Sequence, residues 1–341
     1  MTPSPAESDR HQRSWDDVWR ERLRDLASRV RTGLREDSRD IEAGAQPLHQ
    51  GAGDLTYAID EGTEVSAARW MDDLAGREPL SLLTEDRGWR HAGAAGADFD
   101  HGGPRIVLDP IDGTRNLMLD LRSAWTEIAW CPPGKTEPRF RDVRASLLAE
   151  LPDRRGGKYR VLEAGPCGPP RFELREVGTD ALLEEHELNA DSNDDRLEHR
   201  VLSFFRFEPH WRPRIARIEA EFFRRLEQHE GVDTRHCFDD QYISNAGQLV
   251  LLALGQYRFI ADLRAFLAQR HGEPAITSKP YDVAGALHLA RAAGCVVEAP
   301  DGGPIDFPLD ARTPVSFVGY ANEAVATRLR PHLARALESA G

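Results

Sequence analysis

The residues best suited to chemistry in this 341-residue chain are two carboxylates three positions apart, Asp109 and Asp112, in the run DPIDGT at residues 109–114. Hard divalent cations such as Mg²⁺ bind carboxylate and carbonyl oxygens, usually together with a substrate phosphate. Pro110 stiffens the turn, and Gly113 lets its backbone N–H approach an anion closely. The run therefore predicts a metal site beside a phosphate, although Asp-Pro and Asp-Gly pairs also mark ordinary turns.

These acids follow a short apolar segment, residues 105–108, which predicts a buried strand. In open α/β sheets, ligands bind at the carboxyl ends of the strands. Further acids lie at the ends of other predicted elements: Asp60 after an alternating segment (54–60) and before a helical run (61–74), Glu85 after an apolar strand (80–84), and Asp282 at the start of an apolar helix. Functional side chains commonly occupy such boundaries, because a rigid scaffold positions them there.

In this order, the four segments resemble the signature of the inositol monophosphatase superfamily, Mg²⁺-dependent phosphomonoesterases that are often lithium-sensitive. The signature runs Asp, Glu-Glu, Asp-Pro-Ile-Asp-Gly-Thr and Trp-Asp-x-Ala-Ala-Gly. This chain has Asp86 in place of the second Glu and Tyr281 in place of the Trp, and it has no lysine before Lys135, although the family often carries one that influences a third ion. The resemblance implies an α/β fold, a layered αβαβα sandwich of the inositol monophosphatase/fructose-1,6-bisphosphatase type.

The resemblance also implies a role for each matching residue. The implied ligands of two or three Mg²⁺ ions are Glu85, Asp109, the Ile111 carbonyl, Asp112, Asp282 and, for a weaker third ion, Asp60. The implied catalytic residues are Glu85, Thr114 and Asp60, which would orient and deprotonate the attacking water. The N–H groups of Gly113 and Thr114 would hold the phosphate. The implied reaction is direct in-line attack by a metal-activated water, without a protein nucleophile.

Substrate contacts are carried over from two other segments. Ser244 and Asn245 match a family segment near the substrate, and both residue types are also ordinary helix N-caps. Counting from Gly255, Asp262 falls where the family often has a glutamate that reads a substrate hydroxyl, and Glu273 is a second candidate. Inositol monophosphate is the default substrate; the alternatives are fructose 1,6-bisphosphate and a 3′-phosphoadenosine nucleotide.

Two non-enzymatic interpretations remain open at this point. The chain could be a metal-binding or regulatory relative that has lost turnover, although such a relative need not keep Glu85, Thr114 and Asp60 together. It could also be an acidic scaffold that binds no metal. Saturable binding of Mg²⁺ argues against the scaffold, and hydrolysis of any phosphate ester argues against both.

The amino-acid composition indicates which kinds of partner and compartment to expect for this chain. The chain has 44 basic and 57 acidic residues, a net charge of −13, which disfavours a nucleic acid polymer as partner. Its four cysteines are far apart, which is typical of a reducing compartment and of a chain without a zinc site. The most apolar stretch, residues 249–254, is too short to span a bilayer, and residues 1–13 lack a signal-peptide core. We expect a cytoplasmic protein that acts on a small phosphorylated substrate, and the resemblance implies a homodimer.

The chain divides into four predicted parts. Residues 1–12 are polar and predict a disordered tail, and residues 13–151 predict an N-terminal α+β half that carries most of the metal ligands. Residues 152–200 mix Pro-Gly turns with an acidic run and predict an insertion or enlarged hairpin over one face. Residues 201–341 predict a C-terminal α/β half.

Overall fold

A computed structural model of the chain describes residues 5–37, 46–50, 55–93, 98–189 and 193–340. Residues 1–4 of the predicted tail lie outside these ranges. The same is true of Asp54, at the start of the segment 54–60, and of residues 190–192 within the predicted insertion.

Two larger β-sheets and a small hairpin make up the strands. The antiparallel hairpin is β1 (Pro47–Gln50) and β2 (Leu55–Tyr57). The larger sheet, ordered β10-β9-β8-β7-β6-β5-β3-β4, contains β3 (Leu80–Thr84), β4 (Gly88–Ala92), β5 (Arg105–Asp112), β6 (Ala124–Cys131), β7 (Ala145–Leu151), β8 (Lys158–Ala164), β9 (Arg171–Glu176) and β10 (Leu182–Glu187). The smaller sheet, ordered β11-β12-β14-β13, contains β11 (Val201–Phe204), β12 (Tyr257–Asp262), β13 (Val296–Glu298) and β14 (Phe317–Tyr320). Neighbours are antiparallel except the pairs β3–β5 and β11–β12.

Helices cover and separate the sheets. They are α1 (Pro5–Ser14), α2 (Arg20–Asp37), α3 (Ala58–Ala75), α4 (Thr114–Met118), α5 (Arg212–Glu230), α6 (Asn245–Ala253), α7 (Arg264–His271), α8 (Ala284–Ala292) and α9 (Glu323–Ala340). A π-helical turn, Trp15–Trp19, joins α1 to α2. Helices α2 and α3 cover one face of the larger sheet, α6 and α8 fill the space between the sheets, and α5 and α9 cover the outer face of the smaller sheet. The predicted αβαβα sandwich is confirmed.

Side-chain alternation in the strands explains this layering and determines the direction in which the Asp109 side chain points. In β5, Ile106 and Leu108 pack toward α2, whereas Val107 packs into the central layer with α6 and α8. Because strand side chains alternate, Asp109 points to the same side as Val107. Strand β5 runs on through the DPID sequence, and its pairing with β6 is irregular between Asp109 and Asp112. The fold therefore directs the first acid of the motif between the two sheets.

The disordered tail predicted for residues 1–12 is wrong for the part that the structure describes, because residues 5–12 belong to α1. The polar composition of this segment gave no sign of the apolar residue Trp15, which follows it and packs into the protein. Trp15 is 2% exposed, and its ring lies 6.1 Å from that of Trp130 in the larger sheet. Packing at the end of the segment thus extends the helix backward, beyond what its own composition supports.

Within the segment 152–200, for which the sequence predicted an insertion or enlarged hairpin over one face, residues 158–187 extend the larger sheet through β8, β9 and β10. Strand β10 forms the edge of this sheet and is exposed along its length. The smaller sheet begins at Val201, where the C-terminal half was predicted to start. In the described ranges, no helix is both long and apolar enough to cross a membrane.

Candidate active site

The separate acidic segments meet in one pocket between the two sheets. All six side chains of the predicted metal and catalytic set line it, as do the backbone of Ile111 and Gly113 and both predicted substrate residues of α6: Asp60, Glu85, Asp109, Asp112, Thr114, Asp282, Ser244 and Asn245. They come from six elements or their ends, over more than 200 positions of sequence. The pocket is therefore a product of the fold rather than of one local motif.

The turn that follows Asp109 is held by short-range hydrogen bonds. Asp109 Oδ1 accepts the Ile111 N–H at 2.9 Å, and the Thr126 hydroxyl donates to the Pro110 carbonyl at 3.0 Å. Gly113 then turns the chain with φ of +94°. A Cβ at this position would lie 3.0 Å from Cβ of Ser244, which is tighter than nine in ten real Cβ contacts. Glycine is required here both for the dihedral angle and for the space.

We expect Gly113→Ala to lower the free energy of unfolding by about 1–3 kcal/mol, because a side chain is strained at this φ and meets Ser244. Urea unfolding measures the change. Gly76→Ala is the matched control, since Gly76 has φ of −77° and a Cβ there meets nothing within 4 Å; it should be neutral or slightly stabilising. Equal losses in the two variants would contradict this assignment.

Asp112 is held by the first turn of α6. Its carboxylate accepts the Ser244 hydroxyl at 2.5 Å, the Ala246 N–H at 2.7 Å and the Asn245 N–H at 3.3 Å. The Ser244 oxygen also accepts the Gly247 N–H at 2.8 Å and so caps the helix. The Ser244 hydroxyl proton is therefore committed to Asp112, which leaves Asn245 as the more available of the two predicted substrate residues.

Thr114 and Asp60 form a hydrogen-bonded pair across the pocket. The Thr114 hydroxyl lies 3.1 Å from Asp60 Oδ1 and 2.9 Å from the Ile111 carbonyl, and it can donate to one of them at a time. Asp60 Oδ2 accepts the Tyr57 N–H at 3.0 Å, which fixes the carboxylate at the start of α3. Donation to Asp60 leaves the threonine lone pairs free to accept a hydrogen bond from water.

Asp282 lies in a short turn before α8, and a carboxylate that the sequence analysis missed anchors that helix. Asp282 Oδ2 accepts the Lys279 N–H at 2.6 Å. Glu127 Oε1 accepts the N–H groups of Gly285 and Ala286 at 2.7 and 3.2 Å. Glu127 also lies directly opposite Asp109 in the β5–β6 pairing. Its sequence signal was a single acid in the otherwise apolar strand AWTEIAWC.

Gathering these carboxyls in one buried site raises their pKa values. Burial, together with the nearby charges of Asp282 and Asp112, holds the pKa of Asp109 well above its usual range. Burial raises the pKa of Asp112 to about 6 despite its hydrogen bonds to α6. Burial also raises the pKa of Asp60 to about 7 and, together with Asp112, that of Asp282 to about 7. The fold therefore brings several acidic groups together in a buried position where their ionised forms are unfavourable.

A divalent cation fits this donor set, because all the groups are hard oxygens and their mutual repulsion falls when a cation binds between them. In the described residues, no three Asp, Glu, His or Cys side chains yet converge on one point as ligands do. In this arrangement each of Asp109, Asp112 and Asp282 accepts a hydrogen bond from nearby backbone. Cation binding requires these carboxylates to turn toward one another.

This clustering predicts a pH-dependent effect of Mg²⁺ on stability. An acid whose folded pKa is raised is stabilising only while protonated, so metal-free protein should lose stability as the pH rises from about 4 through about 7, the value for Asp60 and Asp282. Saturating Mg²⁺ should then raise Tm by roughly 5–10 °C at pH 8 and by much less at pH 5. Calorimetry of chelator-stripped protein at matched ionic strength measures both shifts, and equal shifts at the two pH values would oppose the interpretation.

Asp262 does not line the pocket, although it was predicted to read a substrate hydroxyl. It is 1% exposed, and Arg264 occupies both of its oxygens at 2.9 and 2.6 Å. The Ser278 hydroxyl adds a further bond at 2.7 Å. Glu273, the second candidate, pairs with Arg214 at 2.7 Å and is not among the pocket residues either. The spacing from Gly255 did not reveal that Arg264 would neutralise Asp262.

The outer wall of the pocket is aromatic and basic, which the sequence analysis did not predict. Phe205 and Phe207 follow β11, and their rings stack 6.0 Å apart. Arg264 lies over Phe205, with Cζ 4.4 Å from the ring centroid. Arg115, the residue after Thr114, lies over Phe207 at 4.8 Å and over Tyr57 at 5.9 Å. The position of Arg115 directly after the DPIDGT run could have indicated that it lies at the pocket. The sequence around Phe205 and Phe207 gave no such indication.

Solved structures resemble this chain over almost its entire length. Fructose-1,6-bisphosphatase from Leishmania major gives a TM-score of 0.69 at 10% identity and covers 99% of both chains. A Pyrococcus horikoshii protein described as similar to inositol-1 monophosphatase gives 0.63 at 16% identity, covering 94% of this chain and 98% of that one. The extragenic suppressor protein SuhB from Bartonella henselae gives 0.62 at 16% identity, covering 93% and 98%.

No protein-family model and no curated protein sequence matches the chain. The structural likeness therefore rests on the arrangement of the backbone at low sequence identity. That arrangement was predicted from the order of four acidic segments, and the resemblance to the superfamily is confirmed at the level of the fold. The chain has the inositol monophosphatase/fructose-1,6-bisphosphatase fold.

Proposed function

We propose that the chain is a Mg²⁺-dependent phosphomonoesterase that acts on a small phosphate ester. The observation that carries this proposal is the convergence of Asp109, Asp112, Asp282 and Glu85 with the Thr114–Asp60 pair in one pocket. A solvated acidic patch would not bury its carboxylates against raised pKa values. A non-catalytic metal-binding protein would have no need of a hydroxyl aligned on a second carboxylate.

In this proposal the four carboxylates and the Ile111 carbonyl hold two Mg²⁺ ions, with Asp60 beside a weaker third. Bound Mg²⁺ supplies charge neutralisation of the phosphate and a lowered pKa for water. The N–H groups of Gly113 and Thr114 orient the phosphate. Ser244 keeps Asp112 in place through its 2.5 Å hydrogen bond, and Glu127 fixes the N-terminal turn of the helix that follows Asp282.

Thr114 and Asp60 handle the proton of the attacking water. The Thr114 hydroxyl donates to Asp60 Oδ1, so that its oxygen accepts a hydrogen bond from the water and orients it toward phosphorus. As the water attacks, its proton passes to Thr114 Oγ1, and the threonine proton passes to Asp60 Oδ1. A pKa of about 7 suits Asp60 to this role, because a general base works best near the operating pH. Glu85, which lines the same pocket, is the second carboxylate proposed to orient the water.

Asn245 is the residue proposed to contact a substrate hydroxyl. Its side chain is 8% exposed and lines the pocket. The amide nitrogen donates to the Ser278 hydroxyl at 2.7 Å, whereas Oδ1 has no hydrogen-bond partner among the described residues. A buried acceptor without a partner costs stability, and a hydroxyl of a bound polyol would satisfy it. Asp262, already neutralised by Arg264, is not proposed for this role.

The substrate is tested with a panel of esters. We propose inositol monophosphate as the default, and fructose 1,6-bisphosphate is included because the fructose-1,6-bisphosphatase has the highest TM-score of the three structures compared. A 3′-phosphoadenosine nucleotide completes the panel. Phosphate release by purified protein with Mg²⁺ should exceed release with a chelator for at least one ester. Saturable Mg²⁺ binding without hydrolysis of any ester would instead favour the non-catalytic relative.

Two finer proposals accompany the reaction. The stoichiometry of Mg²⁺ binding should be two or three per chain by calorimetry, and the absence of a lysine before Lys135 makes the third ion the one to examine. A homodimer should appear in sedimentation equilibrium. A single ion per chain or a monomer would contradict these two points without touching the fold.

A further inference from the structure

The pocket carries a cation that nothing in the proposed reaction uses. Arg115 and Arg264 are the two arginines among its lining residues. Arg264 is 4% exposed, and its donors are committed to Asp262, Ser278 and the Ile276 carbonyl. Its positive charge is therefore balanced inside the protein, and its role is to support the aromatic wall.

Arg115 differs from Arg264 in every one of these respects. It is half-buried at the pocket wall, and within the described ranges its guanidinium forms no ion pair and no side-chain hydrogen bond. Its described side-chain contacts are with the ring faces of Phe207 and Tyr57, and its positive charge opposes the rise in the pKa of Asp60 that burial causes. Stacking on ring faces orients a guanidinium and leaves the N–H groups at its planar edge available for bidentate bonding to a carboxylate or phosphate.

We propose that Arg115 binds a second negatively charged group, a carboxylate or a second phosphate, on the phosphate ester that this pocket hydrolyses. The inference rests on the proposed phosphatase function and narrows its substrate class. The carboxylates of the site repel a second anion, so a substrate that carries one needs a separate cation at the wall. Arg115 is placed for this, adjacent in sequence to Thr114 and held by two aromatic rings.

Two matched pairs of esters test the proposal and separate the two anions. Fructose 1,6-bisphosphate and fructose 1-phosphate differ by a second phosphate; 2-phosphoglycerate and glycerol 2-phosphate differ by a carboxylate. Wild-type protein should prefer the more anionic member of at least one pair. In Arg115→Met that preference in kcat/KM should fall by roughly 10- to 100-fold, the range for a hydrogen-bonded charge, and Arg115→Lys should lie between the two.

Arg217→Met is the matched control, since Arg217 is exposed on α5 and the charge change is identical; it should leave the preference unchanged. A second readout excludes a structural role: Arg115→Met should lower Tm by about 2 °C at most, because only the contacts with the two rings are lost and no ion pair within the described residues. An equal fall on both members of each pair would place Arg115 on the reacting phosphate and overturn the proposal. So would an unchanged preference.

Failure of the proposed phosphatase function would give a different experimental result from failure of the Arg115 proposal. If wild-type protein hydrolyses no ester, the phosphatase proposal has failed, and the same preference is then measured as binding of the four esters to Mg²⁺-loaded protein by calorimetry. Loss of that preference in Arg115→Met would still support an anion-binding Arg115. A binding preference that is unchanged in Arg115→Met would reject the proposal that Arg115 binds a second anion.

Discussion

Asp109→Asn is expected to lower kcat/KM for phosphate release by at least about 10³-fold, or about 4 kcal/mol of transition-state stabilisation. The carboxylate is buried, and the charges of Asp282, Asp112 and Glu85 act on it. An amide keeps the shape and the acceptor for the Ile111 N–H but loses the charge that a cation needs. Calorimetry should show a matching loss of Mg²⁺ affinity, and steady-state kinetics on the best panel ester measures the rate.

The same substitution should not unfold the protein. Because repulsion and burial hold the pKa of Asp109 well above its usual range, removing its charge should leave metal-free protein at pH 8 equally or more stable. Asp72→Asn, on the exposed side of α3, is the control and should change neither rate nor stability. Full activity in Asp109→Asn, or a fall in Tm as large as that of a core defect, would count against the metal-ligand role.

Thr114→Val is expected to lower kcat by roughly 10²- to 10⁴-fold with little change in KM, which is the usual range for losing general base assistance. Valine preserves the shape of the side chain but removes the hydroxyl that lies 3.1 Å from Asp60 and 2.9 Å from the Ile111 carbonyl. Mg²⁺ affinity should stay within a few-fold of wild type. Thr114→Ser, which keeps the hydroxyl, should recover most of the rate.

A double-mutant cycle separates a shared proton path from two independent effects. If Thr114 and Asp60 act as a unit, Thr114→Val combined with Asp60→Asn should be little slower than the slower single variant. Multiplicative losses would mean that the two residues act separately. A Thr114→Ser variant as slow as Thr114→Val would reject the hydroxyl as the working group.

Much of the fold could be predicted from local patterns. The strand predicted at 80–84 is found with those bounds, because it is a short apolar run that is buried along its length. The helix predicted from Glu61 begins three residues earlier, at Ala58, and takes Asp60 into its first turn. The α1 helix was missed because its stability depends on Trp15 packing against Trp130, a contact that composition does not reveal.

In the candidate site, too, features that follow from local sequence could be predicted, whereas features that depend on tertiary packing could not. That Glu85 and Asp282 line one pocket could be predicted from their order in the sequence and their positions at element ends, and their role there is a proposal. Asp262 could not be assigned correctly, since its role depends on whether Arg264 folds back onto it. Phe205 and Phe207 reach the pocket only through the packing of the smaller sheet against the larger one. Their position in the pocket therefore depends on tertiary packing.

The central claim is that the buried carboxylates bind Mg²⁺ and thereby enable hydrolysis of a phosphate ester. The most direct measurement restores Mg²⁺ stepwise to chelator-stripped wild-type protein and follows phosphate release from the best ester of the panel. We expect no release without the ion and a saturable rise that tracks binding measured by calorimetry on the same protein. Release that is unchanged by stripping, or bound Mg²⁺ without any release, would contradict the claim.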